Sequence, residues 1–229
     1  MSFTGNKHTN HSGIDNTVTL RVSEIFYSLQ GETSRTGLPT IFIRLTGCPL
    51  RCGYCDTAYA FTGGENMTIA AILEQTAKYR TQYVTVTGGE PLAQKTCMVL
   101  LTALCDAGYC VSLETSGALD ISGVDPRVSK IMDIKTPGSG EMEKNRWDNL
   151  NYLTPHDEIK FVLCDEADYH WACRLIQQHN LDKRCSVLFS PVHGQLDSTT
   201  LANWILRDQL PVRMQIQLHK LLWEDGPGR

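Results

Sequence analysis

Three thiols lie close together at Cys48, Cys52 and Cys55, in the spacing C-x3-C-x2-C. A structural zinc site is usually closed by four Cys or His ligands, and no fourth ligand lies nearby in the sequence. A disulfide framework needs paired cysteines, and a Cys-x-x-Cys redox site leaves one thiol unexplained. Three thiolates suit a cubane 4Fe–4S cluster, which normally takes four cysteines, if the fourth iron binds a group that is not protein. The triplet therefore predicts a cluster with one reactive iron.

The triplet, with the aromatic Tyr54 just before its third cysteine, resembles the signature of the radical S-adenosylmethionine (SAM) enzymes. The resemblance implies that the free iron chelates the amino and carboxylate groups of SAM. It also implies that one electron from the cluster cleaves SAM to a 5'-deoxyadenosyl radical, so that no side chain has to act as the catalytic group. A zinc-binding module without catalytic activity stays open as an alternative.

Composition limits the class of protein. A chain of 229 residues with 41% hydrophobic residues can bury a sizeable core, and we expect a polar leader at residues 1–19 and a single domain at 20–229. The formal charge of −4 gives no basic field for nucleic acid. The leader lacks the apolar region of a signal peptide, and no apolar run is long enough for a bilayer. With nine cysteines, the chain is expected in the reducing cytoplasm, without a membrane partner.

Strands and helices alternate along the sequence. Apolar patterns predict strands at residues 20–27, 40–46, 83–87, 110–113, 130–134, 158–163, 186–190 and 213–218. Helices are predicted after a Thr68 cap and at residues 93–107, 168–179 and 199–209. This alternation is typical of an α/β fold with a parallel sheet, either open or curled toward a barrel. The radical SAM resemblance favours a partial (βα) barrel with a curled, mostly parallel sheet and covering helices.

Glycine-rich and polar motifs follow the predicted strands at their carboxyl ends. Barrel and doubly wound folds place their active sites at that end of the sheet. The motifs are the cysteine loop after 40–46, GGEP at 88–91, ETSG at 114–117 and KTPGSG at 135–140. We therefore expect them to surround one site.

The GGEP sequence at 88–91 indicates a turn when it is taken alone. After a strand and downstream of the cysteines, it resembles the radical SAM motif that contacts the amino group of SAM. Gly89 would let the backbone approach the ligand closely, and Glu90 would accept a charge-assisted hydrogen bond from the ammonium. The same resemblance implies further SAM contacts at Tyr54, Asp133, Ile134, Lys135, Ser190, Pro191, Val192 and His193.

A narrower resemblance rests on a set of short motifs. They are LQGE at 29–32, IFIR at 41–44, CDT at 55–57, TGGEP at 87–91 and QLHK at 217–220. Together they resemble the 7-carboxy-7-deazaguanine synthase family, radical SAM enzymes of the 7-deazapurine pathway toward queuosine. The resemblance implies a lyase that converts 6-carboxy-5,6,7,8-tetrahydropterin to 7-carboxy-7-deazaguanine with loss of ammonia. It further implies hydrogen abstraction at C6, regeneration of SAM and assistance by Mg²⁺.

Several polar residues suit such a substrate on physical grounds. Arg44 offers a planar fork to a carboxylate, while Gln30 and Glu32 supply the donors and acceptors that a pterin edge requires. The Thr57 hydroxyl would be one Mg²⁺ ligand, since Mg²⁺ keeps several waters; the other reading of Asp56 and Thr57 is a helix N-cap. The full set of implied substrate contacts is Leu29, Gln30, Gly31, Glu32, Arg44, Thr87 and His219. A surface charge at Arg44 and a core or solvated histidine at position 219 stay open.

Two other functions remain possible at this stage. A glycyl-radical enzyme activase shares the cysteine spacing but acts on a protein, and the zinc-binding module has no substrate. The family resemblance implies a homodimer and a flavodoxin or ferredoxin as electron donor. Relatives often end soon after the His-Lys pair of QLHK, so residues 221–229 form an extension whose role the sequence does not predict. The six cysteines outside the triplet are expected to pack as small apolar residues.

Overall fold

The computed structural model describes residues 17–223. The strands are β1 Thr19–Leu29, β2 Pro39–Leu45, β3 Glu65–Thr68, β4 Tyr83–Gly88, β5 Cys110–Thr115, β6 Ser129–Asp133, β7 Glu158–Leu163, β8 Ser186–Pro191 and β9 Arg213–Met214. The α-helices are α1 Ile69–Thr76, α2 Cys97–Asp106, α3 Glu166–His179, α4 Ser198–Arg207 and α5 Leu218–Trp223. No helix in this part of the chain is long and apolar enough to cross a bilayer.

All the strands belong to one sheet, in the order β3-β1-β2-β4-β5-β6-β7-β8-β9. Strand β1 runs antiparallel to β2 and β3, whereas every neighbouring pair from β2 to β9 is parallel. The sheet does not close, because β3 and β9 each have a free edge within the described residues. The expected α/β fold, with a mostly parallel, unclosed sheet and covering helices, is confirmed.

The core follows from the apolar runs of the central strands. Ile41, Ile43 and Leu45 of β2 and Val84 and Val86 of β4 are fully buried. Strands covered on both faces carry such near-continuous β-branched and aliphatic sequence, because neither face meets water. These strands therefore form a rigid base from which their carboxyl-terminal loops project.

Side-chain caps define where three helices begin. Thr68 accepts a hydrogen bond from the Ala71 amide at the start of α1, and Asp165 accepts one from the Asp168 amide at the start of α3. Asp197 does the same for α4. Each cap satisfies a backbone donor that the helix leaves unpaired, which contributes about 1 kcal/mol. The predicted Thr68 cap is confirmed.

The sequence prediction was wrong about the helix at 93–107. A short 3-10 turn occupies Pro91–Ala93, and α2 begins only at Cys97. Gln94 is extended because its side chain binds the backbone of Arg21 on both the amide and the carbonyl side. These two hydrogen bonds with β1 hold Gln94 in an extended conformation, so the helix starts after it.

The last predicted strand, 213–218, is also shorter than expected. It ends at Met214, because Gln215 turns its side chain to the Thr33 amide and Leu218 starts α5. Strand β3 was not predicted, since a four-residue polar strand leaves no periodic signal. Thr19, assigned to the leader, is the first residue of β1. Residues 1–16 of that leader and 224–229 of the extension lie outside the described residues.

Candidate active site

A cavity of about 930 Å³ opens at the carboxyl ends of the parallel strands. Its wall is built by the loop after β2, the ends of β4, β5 and β6, the loop after β8, and α5. The volume falls in the range of small-molecule sites. Parallel strands bring the loops that follow them to one edge of the sheet, and for this reason the motifs were expected to surround one site.

The three thiols of the triplet all line this cavity. All nine cysteines of the chain are free, so none of the three is used in a disulfide. Arg51 holds the loop by donating from its guanidinium to the Cys48 carbonyl at 2.8 Å. The Gly53 amide donates to the Ser139 carbonyl at 3.0 Å, which ties the loop to the segment after β6. Burial raises the pKa of the Cys48 and Cys52 thiols, and Lys135 acts in the opposite direction.

The donor set fits an iron–sulfur cluster better than a single metal ion. Within residues 17–223, no group of three or more His, Cys, Asp or Glu side chains is arranged around one metal position. A tetrahedral zinc ion needs its ligands converged on one point, whereas each thiolate of a cubane cluster binds a different iron. Three thiols spread along one cavity wall therefore suit the cluster.

The two glycines of GGEP bring the end of β4 against the cysteine loop. A Cβ on Gly88 would lie 2.2 Å from the Leu45 carbonyl oxygen, and the φ of Gly88 is +154°. A Cβ on Gly89 would lie 2.7 Å from Cys48 Cβ. No other residue fits these positions without moving the loop that carries the thiols. Gly89 lines the cavity, as expected for a residue that approaches a ligand.

Glu90 is placed differently from the expectation. Its side chain is 0% exposed and does not line the cavity. Its carboxylate accepts hydrogen bonds from the Ser116 amide at 2.6 Å, from the Thr115 hydroxyl at 3.0 Å and from the Leu92 amide at 3.0 Å. Glu90 therefore lies behind Thr115 and Ser116, which do line the cavity, and its oxygens accept hydrogen bonds from protein donors. Its contact with SAM stays a prediction.

The remaining residues expected to contact SAM divide into two groups. Those that line the cavity are Tyr54, Asp133, Lys135, Val192 and His193. Those that do not are Ile134, Ser190 and Pro191, which are buried in the core or in β8. The side chains of the second group are buried away from the cavity, and their contacts with SAM stay predictions. Lys135 Nζ lies 2.8 Å from Asp133 Oδ2, and this pair faces the thiol side of the cavity.

All seven residues expected to contact the substrate line the same cavity: Leu29, Gln30, Gly31, Glu32, Arg44, Thr87 and His219. The loop that carries LQGE is closed by the hydrogen bond from the Gly37 amide to the Gln30 carbonyl at 2.8 Å. Helix α5 packs on this loop through the Leu218 amide, which donates to the Gly31 carbonyl at 3.0 Å. A Cβ on Gly31 would lie 2.3 Å from His219 Nδ1, so only glycine lets the histidine approach.

Arg44 is held in a fixed orientation at the end of β2. Its Nε donates to Glu24 Oε1 at 2.7 Å, and Tyr59 donates its hydroxyl to the same oxygen at 2.7 Å. The guanidinium lies 5.6 Å from the ring centroid of Phe26 and 5.7 Å from that of Tyr59. Because Nε is used by Glu24, the terminal nitrogens are the part of the fork left to meet a ligand carboxylate.

Other cavity residues were given no individual role from the sequence, although Glu114 belongs to the ETSG motif at 114–117. Glu114, at the end of β5, accepts hydrogen bonds from the Thr87 hydroxyl at 2.9 Å and from Gln30 Nε2 at 3.3 Å. Burial raises the pKa of the Glu114 carboxyl, although Lys160 lowers it in part. Lys160 and Tyr59 also line the wall. Glu114 and Lys160 could have been noticed in the sequence, because each is a charged residue in an otherwise apolar strand. A charged side chain in such a strand needs a partner of opposite charge or a hydrogen-bond partner.

His219 and Asp56 both line the cavity, and Asp56 is near enough to affect the pKa of the histidine. Burial lowers the pKa of His219 below its ordinary value, and the nearby carboxylates of Glu32 and Asp56 act against that shift. Asp56 Oδ2 lies 3.3 Å from Lys220 Nζ, which connects α5 to the cysteine loop. Thr57 donates its hydroxyl to Asp56 Oδ1 at 2.8 Å, and no cap bond from Thr57 to the following 3-10 turn is present. Thr57 therefore lies at the N-cap position of the 3-10 turn Ala58–Phe61, but its side chain does not cap the turn.

Comparison with known proteins identifies the family. The sequence model of the radical SAM superfamily matches residues 42–136. The chain is 50% identical over 207 residues to a 7-carboxy-7-deazaguanine synthase of Chlorobaculum tepidum, covering 89% of this chain and 94% of the relative. It is 45% identical to a 7-carboxy-7-deazaguanine synthase of Koribacter versatilis, with 89% and 97% covered.

A solved structure shares the fold. The crystal structure of QueE from Escherichia coli superposes with a TM-score of 0.73 at 23% identity, covering 88% of this chain and 95% of that chain. Membership of the radical SAM superfamily implies a 4Fe–4S cluster and SAM as cofactors. With identities of this size over nearly the full length of the relatives, the chain belongs to the 7-carboxy-7-deazaguanine synthase family of radical SAM enzymes.

Proposed function

We propose that the chain converts 6-carboxy-5,6,7,8-tetrahydropterin to 7-carboxy-7-deazaguanine with loss of ammonia. The observation that supports this most is the common cavity of two motifs far apart in sequence. The thiols of the triplet and the LQGE–Arg44 set line the same cavity. A cofactor held by the thiols would therefore face a ligand held by Arg44.

The cofactor side of the proposed site consists of Cys48, Cys52, Cys55 and the Asp133–Lys135 pair. When bound, a 4Fe–4S cluster and SAM together supply a radical that takes a hydrogen atom from a C–H bond. The protein holds the loop rigid through Arg51 and places Lys135, whose pKa is raised by Asp133 against the effect of burial, beside the thiols. This fixed positive charge suits a ligand carboxylate.

The substrate side consists of groups that match a carboxylated pterin. The terminal nitrogens of Arg44 would bind the substrate carboxylate, and Glu24 fixes which edge of the guanidinium faces it. Gln30, Glu114 and Thr87 form a connected set of amide, carboxyl and hydroxyl groups that suits the ring edge. A site built from such paired groups rejects analogues that lack the matching donors and acceptors.

A magnesium ion and protein partners also belong to the proposal. The Thr57 hydroxyl and the adjacent Asp56 line the cavity, and Mg²⁺ needs few protein oxygens because it keeps its waters. A homodimer and a flavodoxin or ferredoxin donor are proposed from the family resemblance. The side chains of Leu221 and Leu222 on α5 are 68% and 48% exposed, which suits burial against a second copy.

Anaerobic reconstitution with iron and sulfide, followed by SAM, a reductant and the tetrahydropterin, tests the proposal. We expect about four irons and four sulfides per chain, and 7-carboxy-7-deazaguanine as the product. SAM cleavage without consumption of the pterin would favour an activase that acts on a protein. Stoichiometric zinc without iron would favour the non-catalytic module.

A further inference from the structure

Lys160 is a buried cation on β7 that no motif of the sequence pointed to. It pairs with Asp133 in the register of β6 and β7, so both side chains leave the sheet on the same face. Its side chain is only 8% exposed and lines the cavity. A lysine in this position has to find partners, because an unpaired buried ammonium is costly.

The partners of Lys160 are two carboxylates from different parts of the site. Its Nζ lies 2.5 Å from Glu32 Oε2 and 3.3 Å from Asp133 Oδ1. Glu32 belongs to the LQGE loop on the substrate side, whereas Asp133 is the last residue of β6 and lies near Cys52 of the triplet. One ammonium therefore joins the two halves of the cavity.

Each carboxylate has one further partner of a different kind. Asp133 Oδ2 is 2.8 Å from a second cation, Lys135 Nζ. Glu32 Oε1 accepts only a neutral hydrogen bond, at 2.7 Å, from Gln217 Nε2. The charge of Glu32 is thus compensated by Lys160, while Asp133 has two compensating charges, Lys160 and Lys135.

The electrostatics agree with this geometry. Burial by itself lowers the pKa of Lys160, but Asp133, Glu32 and Glu114 together raise it well above its ordinary value. Burial likewise disfavours an ionised Asp133, and Lys135 and Lys160 together lower its pKa. Lys160 and Asp133 are therefore both charged at neutral pH, and removal of the lysine takes away the cation that lies between the Asp133 and Glu32 carboxyl groups.

We propose that Lys160 is a positioning residue that holds Glu32 in the pterin subsite and Asp133 in the SAM subsite. This rests on the proposed function, which assigns the two sides of the cavity to those ligands. Lys160 matters more for Glu32 than for Asp133. Glu32 depends on Lys160 for its orientation and its charge balance, whereas Asp133 retains its ion pair with Lys135 when Lys160 is removed. Loss of the ammonium should therefore weaken pterin binding more than SAM binding.

The test uses Lys160→Met, Lys160→Arg and a control, Lys130→Met. Lys130 lies on the neighbouring strand β6, is similarly buried, and pairs with Asp157 at 3.0 Å, but it does not line the cavity. Binding is measured on anaerobically reconstituted protein without reductant, so that SAM stays intact. The pterin is titrated in the presence of SAM, and SAM alone in a separate experiment.

We expect Lys160→Met to raise the Kd of the pterin by about tenfold or more and that of SAM by about three- to fivefold. Lys160→Arg, which keeps the charge, should recover most of both affinities. Lys130→Met should lower the Tm and leave both Kd values within about twofold of wild type. If Lys160→Met is not obtained folded, Lys160→Gln replaces it under the same limits.

The proposal is overturned if Lys160→Met keeps either Kd within about twofold of wild type. It is also overturned if Lys130→Met raises the Kd values of the pterin and of SAM as much as Lys160→Met does. The second result would show a structural role shared by any buried lysine pair. Failure of the proposed function looks different, because the wild type itself would then not bind the pterin. In that case the SAM titration still decides whether Lys160 positions Asp133.

Discussion

The carboxylate of Glu90 binds both the amide and the hydroxyl of Ser116, so that the GGEP turn and the ETSG turn form one buried unit. The two residues belong to loops after adjacent parallel strands, β4 and β5. Thr115 adds its hydroxyl to the same carboxylate. The wall of the cavity between the thiols and Glu114 is thus held by an acidic residue that does not itself reach the cavity.

We expect Glu90→Gln to lower both the free energy of unfolding and the affinity for SAM. A glutamine offers one oxygen and turns its NH2 group toward the donors of Ser116, which leaves buried donors unpaired at about 1–3 kcal/mol each. The matched control is Asp157→Asn, since Asp157 accepts from the Lys130 amide and from Thr154 but lies outside the cavity wall. Both variants should lose stability in urea unfolding, and only Glu90→Gln should bind SAM more weakly. Wild-type SAM affinity in Glu90→Gln would contradict the assigned role.

Arg44→Ala should weaken pterin binding without affecting SAM. Hydrogen bonds to a charged group contribute about 1.5–3 kcal/mol, which corresponds to roughly a 10- to 150-fold rise in the Kd of the pterin. Glu24→Gln should give a smaller rise, because the guanidinium stays but is no longer fixed by an ion pair. Arg207→Ala, which removes an exposed arginine paired with Asp208 on α4, serves as the control. Equal loss of pterin and SAM binding in Arg44→Ala would place Arg44 outside the pterin subsite.

Thr57→Ala should reduce the stimulation of turnover by Mg²⁺. The hydroxyl is the only protein oxygen that we assign to the ion, and water replaces it poorly because Mg²⁺ requires near-ideal octahedral geometry. Thr57→Ser keeps the hydroxyl and should retain the stimulation. The comparison is made by titrating Mg²⁺ into the reconstituted enzyme. An unchanged response in the alanine variant would remove Thr57 from the proposed metal site.

Stability should fall on mild acidification because of His219. Its pKa is lowered in the folded chain by burial, from an ordinary value of 6.5. Below that pH the unfolded chain binds a proton that the folded chain does not yet bind, so the free energy of unfolding decreases as pH falls. His219→Gln should therefore show a smaller decrease between about pH 7.5 and pH 5.5 in urea unfolding. A variant with the same pH dependence as wild type would mean that His219 titrates alike in both states.

Much of the site could be predicted because it follows from local sequence and strand order. The thiols and Gly89 follow parallel strands and Arg44 lies near the end of β2, and a parallel sheet brings such positions to one edge. The LQGE loop follows the antiparallel strand β1, so its place in the cavity was indicated by the family resemblance and not by strand order. Apolar runs predicted most strands for the same reason, since buried parallel strands carry continuous apolar sequence.

The parts that escaped prediction depend on contacts between residues far apart in the chain. Gln94 is bonded to Arg21, 73 positions away, and is not helical. Glu90 accepts hydrogen bonds from Thr115 and Ser116, which are 25 and 26 positions away. The pairing of Lys160 with Glu32 spans 128 positions. Periodicity and short motifs contain no information about such pairs, because they depend on the tertiary arrangement.

Transfer of deuterium tests the central claim most directly. The reconstituted enzyme is given the tetrahydropterin labelled with deuterium at C6, together with unlabelled SAM, and both the product and the recovered SAM are analysed by mass spectrometry. We expect 7-carboxy-7-deazaguanine to form and the recovered SAM to contain deuterium, because we propose that the cavity holds both ligands and the family resemblance implies that SAM is reformed after hydrogen abstraction. Recovered SAM without deuterium, in a reaction that forms the product, would contradict the account.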